Sequence, residues 1–465
     1  MHKLPRHTQY KDSGLPWVGE IPAHWQARRN RFLFREVDRR SAHGEETPLS
    51  MSQVHGLVPS KSLSRKSLQS ENYAGGKLVE EHDLVLNRLK AHLGVFARAN
   101  QAGVVSPDYT VLRPKGEATV RYCESLFKTP IYVAEFRRRT KGIVEGFWRL
   151  YTDDFYNVSA LLPPPEEQEQ IVAYLRAQDA HIARFIKAKR DLIGLLTEQK
   201  LRIIDHTVTR GLNASVALKP SGIEWLRDVP EHWSIKPLKR WVRLNSSTLG
   251  EKTNPDFEFR YVDIGSVKTG RLAKELERLR FENAPSRARR VLRRGDTIIS
   301  TVRTYLKAIW YVNEEADDLI ASTGFAVLTP GREVEPEYLG YVIQSTGFVN
   351  RVTANSIGIA YPAIAETVLG RFPVVMPSTL EEQQAILAHI KAESAPLDQA
   401  IEQALTEIKL IREYRDRQIT DVVTGQVDVR GWVPGPDDVV AEEDLAALGG
   451  DEEIDTDGEE DDGDD

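Results

Sequence analysis

Residues 161–175 read LLPPPEEQEQIVAYL, and residues 374–390 read VVMPSTLEEQQAILAHI. In each, an apolar run passes through proline into Glu-Glu-Gln (Glu166-Glu167-Gln168 and Glu381-Glu382-Gln383) and then into apolar residues at helical spacing. Carboxylates there favour the positive end of a helix dipole, and Pro165 suits a first helical turn. The stripe continues through Ile171, Leu175, Ile182, Ile186, Ile193 and Leu196 in one stretch, and through Ile386, Ile390, Leu397, Ile401, Ile408 and Ile411 in the other. Steps of three, four and seven are the spacing of a heptad seam. Gly211 and Gly425 stand where each helix should stop, and Pro396 predicts a kink or a restart in the second. Helices of roughly 43 residues would span about 60 Å. A seam that long outruns one small globule, so the two helices are expected to pack on each other, antiparallel.

Upstream of each helix the sequence repeats itself. Residues 12–34, DSGLPWVGEIPAHWQARRNRFLF, match residues 220–242, PSGIEWLRDVPEHWSIKPLKRWV, at Ser13/Ser221, Gly14/Gly222, Trp17/Trp225, Pro22/Pro230, His24/His232 and Trp25/Trp233. DLVLNRLKAHLGVFA from Asp83 resembles DTIISTVRTYLKAIWYV from Asp296, and each runs on to a second strand-like stretch, YTVLRP and FAVLTP. Three matched blocks in one order mean a tandem duplication of units too long for a solenoid repeat. Short β-rich runs with Gly and Pro punctuation predict mixed α/β globules. The expected layout is a first recognition domain over 1–162, a long helix over 163–212, a second domain over 213–378, a second helix over 379–428 and an acidic, disordered tail over 429–465. The fold class is mixed α+β: two similar globules held apart by an antiparallel coiled-coil spacer, with pseudo-two-fold symmetry.

The 465 residues include 41% hydrophobic side chains, enough for packed cores, and a single cysteine, Cys123. That excludes an internal disulfide framework and cysteine-rich zinc sites, and suits a reducing cytosol, with Cys123 as a buried thiol. No apolar run is long enough to cross a membrane, and the opening MHKLPRHTQYKDSG lacks a signal-like apolar segment. A cytoplasmic protein is expected. The formal charge of −7 conceals an asymmetry: Asp437–Asp465 holds 16 Asp/Glu and no Lys or Arg, leaving a body with 62 basic against 53 acidic residues. A basic body points toward a polyanion such as nucleic acid.

Catalytic signatures are missing from the sequence. Gly56–Ser62 lacks the second glycine of a phosphate loop, Asn254-Pro255-Asp256-Phe257 is not an amino-methyltransferase motif, and Asp256 and Glu258 lack a nuclease partner. His24 and His232 each sit between Pro and Trp in a copied motif, with no further ligands nearby in sequence, and read as packing or turn residues. No catalytic residue and no metal site is expected.

A symmetric pair of basic globules on a fixed spacer suits two DNA half-sites. Along residues 10–428 the chain resembles the specificity subunit of Type I restriction–modification systems, on the strength of SGLPWVGEIPAHW, SGIEWLRDVPEHW, the two Glu-Glu-Gln helix entries and the two-repeat layout. The resemblance implies a non-catalytic subunit whose two target-recognition domains read a split, asymmetric double-stranded DNA site. It implies that the helices set the half-site spacing and dock two modification subunits, which supply S-adenosylmethionine and adenine methylation. Two restriction subunits can add translocation and cleavage with ATP and Mg²⁺. The acidic tail departs from the family pattern. A stand-alone dumbbell-shaped regulatory DNA binder and a pure assembly scaffold are the alternatives.

Phosphate contacts need Lys or Arg, and base contacts need side chains on elements that enter a groove. Candidates in the first repeat are Lys61, Arg65 and Lys66, then Arg88, Lys90 and His92, then Arg138, Arg139 and Lys141. In the second they are Arg289 and Arg290, then Arg303, Thr304, Tyr305 and Lys307, then Asn355, Ser356 and Tyr361. Arg88/Lys90 and Arg303/Lys307 follow matched strand-like runs and are expected to occupy equivalent loops.

Overall fold

The computed structural model describes residues 5–52, 56–62, 73–116, 119–142, 148–223, 226–358 and 361–449. The chain divides into two units, one formed by residues up to Arg190 together with those from Leu405 on, the other by Asp191–Ala404. In the first unit the apolar runs form an antiparallel sheet of β1 (Phe34–Val37), β2 (Leu84–Asn87), β3 (Phe96–Arg98) and β4 (Tyr109–Pro114), in the order β1-β4-β2-β3. Two helices follow, α1 (Val120–Phe127) and α2 (Pro130–Arg139), and then the long α3 (Pro165–Arg210). The second unit repeats this with β5 (Val242–Leu244), β6 (Thr297–Ser300), β7 (Ile309–Tyr311) and β8 (Phe325–Pro330), in the order β5-β8-β6-β7. Helices α4 (Pro336–Gln344), α5 (Thr346–Ala354) and the long α6 (Leu380–Val423) complete it. Both units therefore share the strand order of the central sheet and the helices that follow it.

The central strands are continuous apolar runs because both of their faces are covered. In β2, Leu84 and Leu86 face the core shared with α1 and α2, while Val85 faces a second core built with Leu49, Leu57 and Val105. In β6 the same alternation puts Ile299 in the core with α4 and α5, and Ile298 in a second core with Val262 and Leu319. A buried aspartate opens each of these strands by closing the turn before it: Asp83 accepts from the Glu80 amide at 2.9 Å and Asp296 from the Arg293 amide at 2.8 Å. The outer layers differ. The second unit adds a four-stranded sheet that includes a parallel pair, Glu258–Val262 with Leu319–Ser322, whereas the first unit has two-stranded ribbons there.

The long helices are antiparallel in each unit. In the first, Tyr174 meets Gln418 at 2.6 Å, Asp179 meets Arg415 at 2.6 Å and Lys189 meets Glu407, so numbers fall along α6 as they rise along α3. In the second, Lys200 meets Asp398 at 2.6 Å. Each end of the seam is buried in a globule: Ile171 and Leu175 of α3 join Val422 and Val423 of α6 in the first core, and Ile204 and Val208 join Ile386 and Ile390 in the second. Ile182, Ile186 and Ile408 are also buried, while Ile193, Leu196, Leu397, Ile401 and Ile411 are half-buried. Within each unit the helices therefore pack both on the globule and on each other.

Two expectations are corrected. Helix α6 runs unbroken through Pro396, so the helix does not restart there. The tail over 429–465 is not disordered throughout: Pro436–Asp438 and Ala446–Leu448 form 3-10 turns and Glu442–Leu445 a helical turn. Basic side chains on α3 hold them. His181 meets Asp438 at 2.7 Å, Arg184 donates to the Asp437 carbonyl at 2.7 Å, and Arg190 donates to the Ala447 carbonyl at 2.7 Å. Composition weighed the tail's own apolar content and missed partners supplied by α3. The rest of the acidic run, 450–465, lies outside the described residues. Among the described residues no helix is long and apolar enough to cross a membrane.

Candidate nucleic-acid interface

The duplicated motifs meet at one clamp per unit. Trp25 Nε1 donates to Glu167 Oε1 at 3.0 Å and His24 Nε2 lies 2.7 Å from Glu167 Oε2. In the second unit Trp233 Nε1 donates to Glu382 Oε1 at 2.9 Å and His232 Nε2 lies 2.9 Å from Glu382 Oε2. The neighbouring glutamine holds the globule to the same helix. Gln168 accepts from the Thr119 amide at 2.8 Å and donates to the Pro163 carbonyl at 3.0 Å. Gln383 accepts from the Glu335 amide at 2.8 Å and donates to the Glu333 carbonyl at 3.0 Å. Thr119 and Glu335 are the N-caps of α1 and α4, so Glu-Glu-Gln ties the start of a long helix both to the His-Trp turn and to the first globule helix.

The helix stops complete the clamp. Gly211 and Gly425 have φ of +72° and +76°, the left-handed conformation that ends a helix. A Cβ on Gly211 would stand 3.1 Å from the Trp233 ring, and one on Gly425 2.4 Å from Pro22 and 3.2 Å from Trp25. The motif thus fixes where the opposite long helix ends. His24 and His232 are partly exposed and each faces a glutamate of the long-helix entry. Trp17 packs edge-on against Tyr132 with ring centres 4.9 Å apart, and its counterpart Trp225 lies outside the described residues.

The candidate contact loops leave the sheet beyond β2 and β6. The sheet registers align Lys90 with Arg303 and Gly94 with Lys307, because Leu86 pairs with Phe96 as Ile299 pairs with Ile309. Arg88 therefore stands in the place of Thr301, two residues earlier than its sequence likeness to Arg303 indicates. Its guanidinium donates to the carbonyls of Asp108 at 2.7 Å and Pro107 at 3.2 Å. Lys61 and Lys90 are exposed. Arg65 and Lys66 lie outside the described residues, as does the side chain of His92. Arg138 and Arg139 both pair with buried Glu135 at 2.7 Å, and Lys141 pairs with Asp154 at 2.8 Å.

In the second unit two loops converge. Arg303 and Lys307 adopt φ of +50° and +51°, a left-handed conformation rare for side-chain-bearing residues and found where surrounding structure imposes it. Buried Thr304 meets Ser356 at 2.8 Å, tying this turn to the segment after α5, so Thr304 and Ser356 position the loops from within. The Arg303 guanidinium lies 4.7 Å from the Tyr361 ring centre, a cation–π contact that holds both groups at the surface. Tyr305, Leu306 and Tyr361 are exposed, and Ile357 is 84% exposed on a ladder in which it exchanges backbone bonds with Ala363. Asn355 is exposed and its amide donates to the Arg351 carbonyl. Arg290 is committed to Glu366 at 2.6 Å, and Arg289 lies over the Phe281 ring at 4.8 Å. The sequence listed cations but could not see which were spent internally, nor that Leu306 and Ile357 would be left exposed beside them.

No protein-family model matches the sequence, and no curated protein matches it either. Solved structures do. A chain from a type I restriction–modification system, solved for its complex assembly and conformational transition, is similar with a TM-score of 0.53 at 14% identity, over 87% of this chain and 98% of that one. The HsdS subunit from Thermoanaerobacter tengcongensis is similar at 16% identity and a TM-score of 0.38, over 88% and 98% of the two chains. The S subunit of a Type I restriction–modification system from M. genitalium is similar at 12% identity and a TM-score of 0.32, over 89% and 99%. With the same central-sheet order in both units and two long helices that run antiparallel, the chain shares the fold of the first of these, the chain of a type I restriction–modification system.

Proposed function

We propose that this protein is the non-catalytic DNA-recognition subunit of a Type I restriction–modification complex in the cytoplasm. Each unit reads one half of a bipartite, asymmetric double-stranded site. The observation that carries this reading is one frame used twice with different loops on it: clamps, helix stops and sheet order repeat, while the segments beyond β2 and β6 diverge. Two different half-sites call for that combination, because shared residues hold geometry and divergent residues meet bases.

In this reading the long helices set the distance between half-sites and dock two modification subunits, which carry S-adenosylmethionine and methylate adenine. Two restriction subunits, with ATP and Mg²⁺, add translocation and cleavage. This chain supplies sequence recognition, and the reacting cofactors belong to the partner subunits. Deleting the gene and sequencing genomic DNA for N6-methyladenine tests the proposal. A bipartite methylated motif should vanish on deletion and return on complementation. A methylome unchanged by deletion would refute it, and would favour a regulatory DNA binder or a scaffold.

A further inference from the structure

The clamp of the first unit has a neighbour that its twin lacks. His7 lies against it, with Nε2 3.9 Å from Glu167 Oε1 and Nδ1 3.7 Å from Asp428 Oδ2. Its ring centre is 5.4 Å from that of His24. The side chain is only 2% exposed, yet neither ring nitrogen has a hydrogen-bond partner. A buried imidazole left so is costly unless something else takes its lone pair. One ring nitrogen from each of His7 and His24 and an oxygen of Glu167 all lie within 4.8 Å of one another.

We propose that His7, His24 and Glu167 bind a divalent transition-metal cation of the zinc class. Two imidazoles and a carboxylate are a familiar zinc set with bonds of about 2.0–2.2 Å, which places the donor atoms roughly 3.3 Å apart. Small side-chain rotations reach that spacing from the distances present. The outer groups fit as well. Trp25 Nε1 fixes the Glu167 carboxylate, and Asp428 faces the other nitrogen of His7. Arg430 donates to that Asp428 carboxylate at 2.7 Å and holds it in place.

The placement gives the metal a purpose. In the second unit the stretch from the helix stop at Gly211 to the turn at Ser221 is continuous backbone, with Ala214 and Ser215 in the positions of Asp428 and His7. In the first unit two separate segments meet there: the Asp428 amide donates to the Pro5 carbonyl at 2.9 Å, and the Tyr10 hydroxyl to the Gly425 carbonyl at 3.0 Å. A cation held by His7 and Glu167 anchors the segment before Tyr10 to the clamp, whereas the second unit anchors the matching segment covalently to the helix stop at Gly211.

The test uses the full-length, untagged protein, stripped with chelator and titrated with Zn²⁺ by calorimetry and with Co²⁺ by visible absorption. One equivalent should bind, with the ligand-field bands of nitrogen–oxygen coordination, and thermal unfolding should move upward with Zn²⁺. His7→Ala should weaken binding by at least about tenfold and abolish the thermal shift, while His232→Ala leaves both unchanged. Far-UV circular dichroism checks that His7→Ala is folded, and the Co²⁺ spectrum of the wild-type chain stands independently of any variant. A wild-type chain with no ligand-field bands, or an isotherm shared by wild type and His7→Ala, would overturn the proposal.

Discussion

The two units use one frame and dress it differently. Both lock a tryptophan and a histidine onto the second glutamate of Glu-Glu-Gln, both stop the opposite helix with a left-handed glycine, and both order their sheets alike. They part at the loops. Arg88, Arg138, Arg139 and Lys141 in the first unit are bonded to their own unit, whereas Arg303, Tyr305, Leu306, Ile357 and Tyr361 in the second form a buttressed basic and apolar surface. A duplicated sequence keeps what holds the frame and is free to change what faces outward. Motifs that survive in both copies therefore mark structure here, and function is to be sought where the copies disagree.

Removing the clamp carboxylates should give the largest effects and should rank the units. Glu167 is 6% exposed and Glu382 30%. Glu167→Leu strands a buried indole N–H and a histidine, and should cost about 3 kcal/mol in denaturant unfolding. Glu382→Leu, nearer water, should cost about 1–2 kcal/mol. Equal costs would mean the two clamps are not distinguished by burial.

The loop comparison is next. Arg303→Ala with Lys307→Ala should lower specific DNA affinity of the assembled complex by roughly ten- to a hundredfold, with the fold intact. Arg88→Ala should instead cost about 1 kcal/mol of stability through its lost carbonyl bonds and leave DNA affinity nearly unchanged. If Arg88→Ala weakens binding as much as the double variant does, the internal reading of Arg88 fails. Lys307→Gly sharpens the point further, since it removes a charge while relieving a left-handed backbone by about 1 kcal/mol.

The helix comparison can be broken by length. Seven-residue insertions after Leu196 and after Ala400 together keep the heptad and add about 10 Å, or about three base pairs, to the gap between half-sites. An unchanged gap would remove the helices as the ruler. Smaller again is the tail. Truncation after Gly435 uncovers His181, Arg184 and Arg190, and should raise random-sequence DNA binding at low salt, with added salt erasing the difference. The smallest effect is at Cys123, whose burial pushes its thiol up to about 12. It should resist thiol reagents in native protein and react only on unfolding.

Much of the frame was legible because it rests on local chemistry. Heptad steps, helix-stop glycines and aligned strand runs need no long-range information, and the repeat doubled each signal. The continuity of α6 through Pro396 was not legible, since packing around a helix can override a local breaker. Nor was the tail, whose partners His181, Arg184 and Arg190 lie more than 240 residues away in sequence. The candidate site was legible as a list of cations. Which ones reach solvent depends on carboxylates and carbonyls brought from afar, as Glu366 is to Arg290 and Asp108 to Arg88. His7 beside His24 is the same lesson, for the two are joined only by the fold.

The central claim is that each unit reads its own half of one DNA site. It is tested most directly by the methylome of cells carrying Arg303→Ala, Lys307→Ala and Tyr361→Ala in this chain. The account predicts a motif whose one half becomes degenerate while the other half and the gap stay as they were. A motif altered in both halves, or in neither, would contradict it.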